Sequence, residues 1–163
     1  MADKAIGSTA ATVFLDEIRS AMSGSLDYEP AVAIAASSGE GWIFSTGTVN
    51  STSSDLFTTS NTYMGGTSAV ATADKVMWLA VKNLSTVKTD GIGLALDGGT
   101  ATYNLGDGIY IGAGEMVVLK LGNTTVAQLH AVTVTMDGTY GYPSAAHTGA
   151  VECHVAAILK NVA

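Results

Sequence analysis

Lys75-Val76-Met77-Trp78-Leu79-Ala80-Val81-Lys82-Asn83-Leu84 sets seven apolar residues (Val76 to Val81, plus Leu84) between Lys75, Lys82 and Asn83. The run is too short to span a bilayer, which takes about 20 apolar residues. It is rich in strand formers and carries its two lysines at the margins. Such a run reads as a strand buried on both faces.

The sequence after it keeps a strand-and-turn rhythm. Gly91 to Leu96 alternates, with Ile92, Leu94 and Leu96 on one face and small residues on the other. Asp97-Gly98-Gly99 turns the chain into Thr100–Leu105, which alternates again through Ala101, Tyr103 and Leu105. Gly106-Asp107-Gly108 leads to Ile109-Tyr110-Ile111, and Gly112-Ala113-Gly114 leads to Glu115–Leu121. Val126–Met136 carries its apolar load on Leu129, Ala131, Val132 and Val134. A Tyr/Gly/Pro-rich loop (Tyr140, Tyr142, Pro143) precedes a last strand, Val151–Leu159. Turn signals spaced about eight to twelve residues apart predict an antiparallel β-sandwich, jelly-roll-like.

Upstream the pattern changes. Residues 1–8 hold few large apolar groups and read as an arm. Phe14, Ile18 and Met22 stand four apart, and Val13 and Ala21 widen the stripe, so an amphipathic helix is predicted over Thr9 to Ser23. Ser8 or Thr9 caps it and Gly24 stops it. A helix this short needs its stripe covered, which makes Val13, Phe14, Ile18 and Met22 candidate interface residues. Ala31–Ala36 and Trp42-Ile43-Phe44 read as strands. Ser45–Ser68, dense in Ser, Thr and Asn, reads as a long surface segment anchored at one or two of Leu56, Phe57, Tyr63 and Met64. The expected organisation is a docking element, 1–30, followed by a sandwich, 31–163.

Only 13% of the 163 residues are charged and 47% are hydrophobic, against about 25% charged in an ordinary soluble domain. Two explanations stand: other subunits cover much of the surface, or a monomer is kept soluble by hydroxyl groups and glycines. A net charge of −7 with seven scattered basic residues opposes nucleic acid and anionic membranes as partners. The single cysteine, Cys153, makes no intrachain disulfide. No signal peptide is expected, and synthesis in a cytoplasm follows. Asn50-Ser51-Thr52, Asn83-Leu84-Ser85 and Asn123-Thr124-Thr125 then read as chance matches to the glycosylation acceptor pattern.

No residues select themselves for chemistry. Cys153 and His154 are strand neighbours that point to opposite faces, so a shared metal with His147 is disfavoured. His130 lacks a sequence-visible nucleophile or orienting carboxylate. The Gly-x-Gly pairs bracket strands instead of opening a helix, so they read as turns. Neither a catalytic residue, a metal nor a cofactor is expected. Tyr140 and Tyr142 are the candidates for stacking on a sugar, which makes a carbohydrate-binding module the alternative reading.

Three stretches carry a resemblance: Lys75 to Leu84, Leu94-Ala95-Leu96-Asp97-Gly98-Gly99, and Ile109 to Leu121. A central strand ending in Lys-Asn, a short Gly-rich hairpin and a Gly-Glu-led apolar strand resemble the small structural proteins of tailed bacteriophage virions, over roughly residues 70–160. The resemblance implies a non-enzymatic capsid decoration or accessory protein of knob or cement type. Its expected location is the virion. Its expected partners are further copies of itself and the major capsid protein or other virion proteins, with a host-surface glycan as a further partner.

Overall fold

The computed structural model describes residues 39–57, 61–64, 68–104 and 108–162, together with the backbone of 5–14 and 19–28 and the side chains of Ser25 and Leu26. The apolar run opens the central strand of a sheet. In chain order the strands are β1 (Ala5–Phe14), β2 (Arg19–Tyr28), β3 (Glu40–Val49), β4 (Ser54–Asp55), β5 (Lys75–Asn83), β6 (Asp90–Ala95), β7 (Ile109–Ile111), β8 (Met116–Lys120), β9 (His130–Met136), β10 (Pro143–Ala146) and β11 (Val151–Lys160). The one helical element among the described residues is a 3₁₀ turn, Val126–Gln128. No helix among them is long and apolar enough to cross a membrane.

All named pairings are antiparallel. One sheet runs β3-β11-β5-β8 and the other β10-β9-β6-β7, while β1 and β2 form a separate hairpin. Because β6 occupies one edge of β9 along Thr135 to His130, β4 and β10 share the other edge. β4 pairs at Ala131 and His130, and β10 pairs from Val134 to Met136. The pairings are nested. β3 pairs with β11, β4 with β9, β5 with β8, and β6 with β7. The chain from β3 onward is therefore one long hairpin, closed at β6–β7 and rolled into two layers, with β10 added at an edge.

The inner faces of the two layers share one core. Val76, Leu79 and Val81 of β5 join Ile43 and Val49 of β3 and Val155, Ala157 and Leu159 of β11. Facing them are Ile92, Leu94, Ile111, Leu129 and Ala131 from the other sheet. Burying each large aliphatic side chain contributes about 1.5–3 kcal/mol. A bulge lies between Ile158 and Leu159, whose β5 partners are Trp78 and Val76. It leaves Met77 without a register partner on β11 and sends Trp78 and Ala80 to the outer face. There Trp78 packs edge-on to Trp42, with ring centroids 6.0 Å apart, and meets Ile158, Val118 and Ala156. The central strand is thus apolar on both faces. On β6 the small face is required by β9: a Cβ on Gly91 would lie 2.5 Å from Met136 Cγ.

Two buried polar residues bracket β5. Before it, the Asp74 carboxylate accepts hydrogen bonds from Tyr63 Oη (2.6 Å), Ala71 N (2.8 Å) and Val162 N (3.1 Å). At its end, Asn83 Nδ2 donates to Asp90 O (2.9 Å) and Ile111 O (3.2 Å), while Oδ1 accepts from Ser85 N. Asn83 belongs to one sheet and its two carbonyl partners to the other, so this amide joins the layers.

Several expectations are corrected. Where the helix over Thr9 to Ser23 is predicted, the backbone forms the β1–β2 hairpin, with Val13 opposite Ser20 and Ala11 opposite Met22. The β-branched and hydroxyl residues Thr9, Thr12, Val13, Ser20 and Ser23 favour strand over helix. Ala31–Ala36 lies outside the described residues. The strand predicted from Thr100 is absent over residues 100–104, because Ala101 N bonds to Ser53 Oγ instead of a ladder carbonyl; Leu105 lies outside the described residues. The Ser/Thr-rich segment is less loop-like than expected. β3 runs on to Val49, β4 follows, and Phe57 and Tyr63 are fully buried while Met64 is exposed.

Asn83→Ala takes a donor from the buried Ile111 O and the half-buried Asp90 O and is expected to cost about 2–4 kcal/mol, read from urea unfolding midpoints. Asn83→Asp, which turns a carboxylate oxygen toward both carbonyls, is expected to cost more. The Tyr63 phenol is raised well above its usual value by burial and then by the hydrogen bond and charge of Asp74. A raised phenol keeps its proton in the native chain and loses it in the unfolded one. Its stabilisation is therefore complete below about pH 10 and falls as pH rises further. Tyr63→Phe is expected to flatten that alkaline limb while lowering stability near neutrality by about 1 kcal/mol, measured by denaturant titration across pH.

Candidate functional site

The strand ends at Asn83 carry three loops that converge on an open cleft of about 320 Å³. The β5–β6 loop supplies Lys88. The β7–β8 turn supplies Gly112, Ala113 and Glu115. The β9–β10 loop supplies Asp137 to Gly141, with Tyr140 on the rim. Asn83 fixes two of these loops at their roots, through Asp90 O and Ile111 O, and its own N–H donates to Glu115 O at 3.0 Å. The Glu115 carboxylate in turn accepts from Gly112 N at 2.7 Å, which closes the turn on itself.

The β9–β10 loop is held as tightly. Asp137 Oδ1 accepts from Thr139 N (2.8 Å) and Tyr140 N (2.7 Å). Asp137 N donates to Tyr142 O, and Gly141 N to Asp137 O. Gly141 takes a φ of +70°, a left-handed conformation that glycine adopts without strain. Pro143 then starts β10. The result is an outward display of two aromatics. Tyr140 is 75% exposed and Tyr142 52% exposed, yet their rings lie 6.0 Å apart with planes 16° from parallel. That is an offset stack. The two tyrosines singled out for sugar stacking are therefore brought together, Tyr140 beside the cleft and Tyr142 against Tyr140.

The histidines are tied into edges. His147 Nδ1 lies 2.9 Å from Gly149 N and 3.1 Å from Gly149 O, and its Nε2 faces Asp90 Oδ1 at 3.3 Å. Ser85 Oγ donates to the second Asp90 oxygen at 2.7 Å. The serine thus addresses the carboxylate and not the imidazole, which is not a nucleophile–base arrangement. His130 bridges Gly99 O (2.8 Å, Nδ1) and Asp55 Oδ1 (3.0 Å, Nε2), pinning β4 to β9. Both its ring nitrogens are engaged. The carboxylate partners Asp55 and Asp90 were invisible in the sequence, since each comes from a distant strand.

Cys153 is buried on the inner face of β11, and burial pushes its thiol up. His154 lies on the outer face, its ring 5.6 Å from that of Phe44. No group of three or more His, Cys, Asp or Glu among the described residues is placed to hold a metal. Asn83 is buried with its amide fully engaged, so the folded chain cannot be glycosylated there. Of the four interface candidates, Val13 and Phe14 end β1 and Met22 lies in β2; Ile18 lies outside the described residues.

Comparison with known proteins gives no matching family model, no matching curated protein and no matching solved structure.

Proposed function

We propose that the chain is a non-enzymatic structural protein of a tailed-bacteriophage virion, a capsid decoration or accessory protein that assembles as a symmetric oligomer on the head. Numbered in order with β1, β2 and β10 set aside, the eight remaining strands run 1-8-3-6 in one sheet and 2-7-4-5 in the other. We take this nested order as a jelly roll, an architecture that viral capsid and lectin domains share. Fold does not assign function, so the weight rests on a surface.

That surface is the outer face of the β3-β11-β5-β8 sheet. The register aligns Phe44, Ala156, Ala80 and Val118 across all four strands. Beside them runs a row of Trp42, Ile158, Trp78 and Lys120. Two alanines give the middle of the face a flat apolar floor between larger side chains. Leu26 of β2 packs against this cluster, which supports residues 1–30 as a docking element over the same face. Phe44 is still 55% exposed and Met116 58%. Ile158 and Trp78 are already covered within the chain, so the exposed part of the face is at Phe44 and Met116, and exposed apolar groups beside such a cluster support a contact surface. Closed symmetric assembly is the common way to cover such a face.

Sedimentation and co-pelleting with capsids test the reading. The native chain is expected to form an oligomer or to bind particles. Phe44→Glu, at an exposed position, is expected to weaken that association by tenfold or more, about 1.4 kcal/mol, with little change in melting temperature. A native monomer that ignores capsids would sink the proposal.

A further inference from the structure

We propose that the cleft at the Asn83 end binds a neutral saccharide, with Tyr140 as the stacking platform and Tyr142 as its buttress. The inference is independent of particle membership. It starts from a cost: two large, half-to-mostly exposed rings are held in water by a loop that is itself fixed. Asp137 organises that loop through its carboxylate, its N–H and its carbonyl. Rings displayed on a rigid loop lose little freedom when a ligand arrives.

The ligand class follows from the geometry and the charges. A cation cage needs rings set at angles around a centre, whereas these planes differ by only 16°. Parallel offset rings offer a flat, electron-rich face, which suits the C–H face of a pyranose. The rest of the cleft is mixed. Met136 and Ala113 line it with Lys88, which has donors for ring hydroxyls, and with Glu115 and Asp137, whose carboxylates keep acceptor capacity beyond the loop N–H groups they hold. Those three charges sum to −1 on a chain of net charge −7, which disfavours sialylated or uronic-acid glycans and nucleic acid alike. At about 320 Å³ the space is at the small end for ligand sites and matches one or two sugar rings. Tyr140 alone of the pair lines the cleft, so the two tyrosines have unequal roles: Tyr140 touches the sugar and Tyr142 holds the Tyr140 ring in place.

The test uses the full chain with a panel of neutral hexose and N-acetylhexosamine oligosaccharides, read by saturation-transfer NMR and titration. At least one probe is expected to bind with a dissociation constant of about 1 mM or tighter. Tyr140→Ala is expected to weaken binding about tenfold or more, and Tyr142→Ala severalfold, with Tyr142→Phe restoring most of the loss because stacking needs the ring and not the hydroxyl. Tyr103→Ala, at the far end of the sheet, is expected to leave binding unchanged. Circular dichroism and melting temperature check that each variant folds. Absence of binding by every neutral probe at that concentration overturns the proposal. So does binding that Tyr140→Ala leaves intact, or binding confined to acidic glycans.

Discussion

One primary amide holds the two layers in register at the end where the loops gather. Asn83 closes the central strand, is fully buried, and gives both of its amide hydrogens to carbonyls of the opposite sheet. An apolar side chain there would preserve the contact area and take a donor from the buried Ile111 O and the half-buried Asp90 O, which costs more than the packing returns. Asp74 does the equivalent work at the other end. It gathers Tyr63, Ala71 and Val162 around the start of the same strand. Hydrophobic burial gives the sandwich its stability, but burial is non-directional. These two polar clamps supply the direction: they say which end of β5 meets which loop.

The same arrangement explains the composition. A two-layer fold has one inner core and two outer faces, and here both outer faces carry apolar clusters. Ala95, Val132, Val134 and Met136 occupy the outside of one sheet with Tyr110 packed on them. Trp78 and Ile158 occupy the outside of the other beneath Leu26 and Trp42. Sheets with one solvated face alternate apolar and polar residues. β5 and the second half of β11 do not, which is why they look like near-continuous apolar runs, while β9 alternates valine and methionine with threonine, a hydroxyl in place of a charge.

Legibility in the sequence followed burial. β5, β6, β9 and β11 were readable because core packing imposes an unbroken or alternating apolar pattern over six or more residues, and Ile92 and Leu94 sit where their alternation puts them. Gly91 and Gly93 were readable as a small face, although not as space kept for Met136 and Val134 of the neighbouring strand. The N-terminal segment misled because Phe14, Ile18 and Met22 match a helical period by spacing alone, while the β-branched Thr9, Thr12 and Val13 just before them favour extended backbone. β10 has only Pro143-Ser144-Ala145-Ala146, a strand set by the β9 edge it completes and not by its own residues. Of the candidate site, the tyrosines were legible as aromatics in a turn-rich loop. Their stacking was not, and neither were Lys88 and Glu115, because the cleft is assembled from three loops spread between Lys88 and Gly141 and only the fold brings them together.

Positions in the roll also separate the two surfaces. The Phe44–Val118 row crosses the middles of four strands, on the outside of one layer. The cleft sits on loops beyond the strand ends, on the far side of the Asn83 clamp. A chain docked by its sheet face therefore leaves its loop end uncovered at the side, and nothing in the docking needs those loops to move. The carboxylates of Asp137 and Glu115 close each loop locally, on backbone N–H groups within three positions of themselves. Loop sequence can consequently change without disturbing the core, while the core sets the positions of the loop roots. That is the physical basis for placing contact on a face and recognition at an end: the first depends on the register of the ladder, the second on turns that the ladder only anchors.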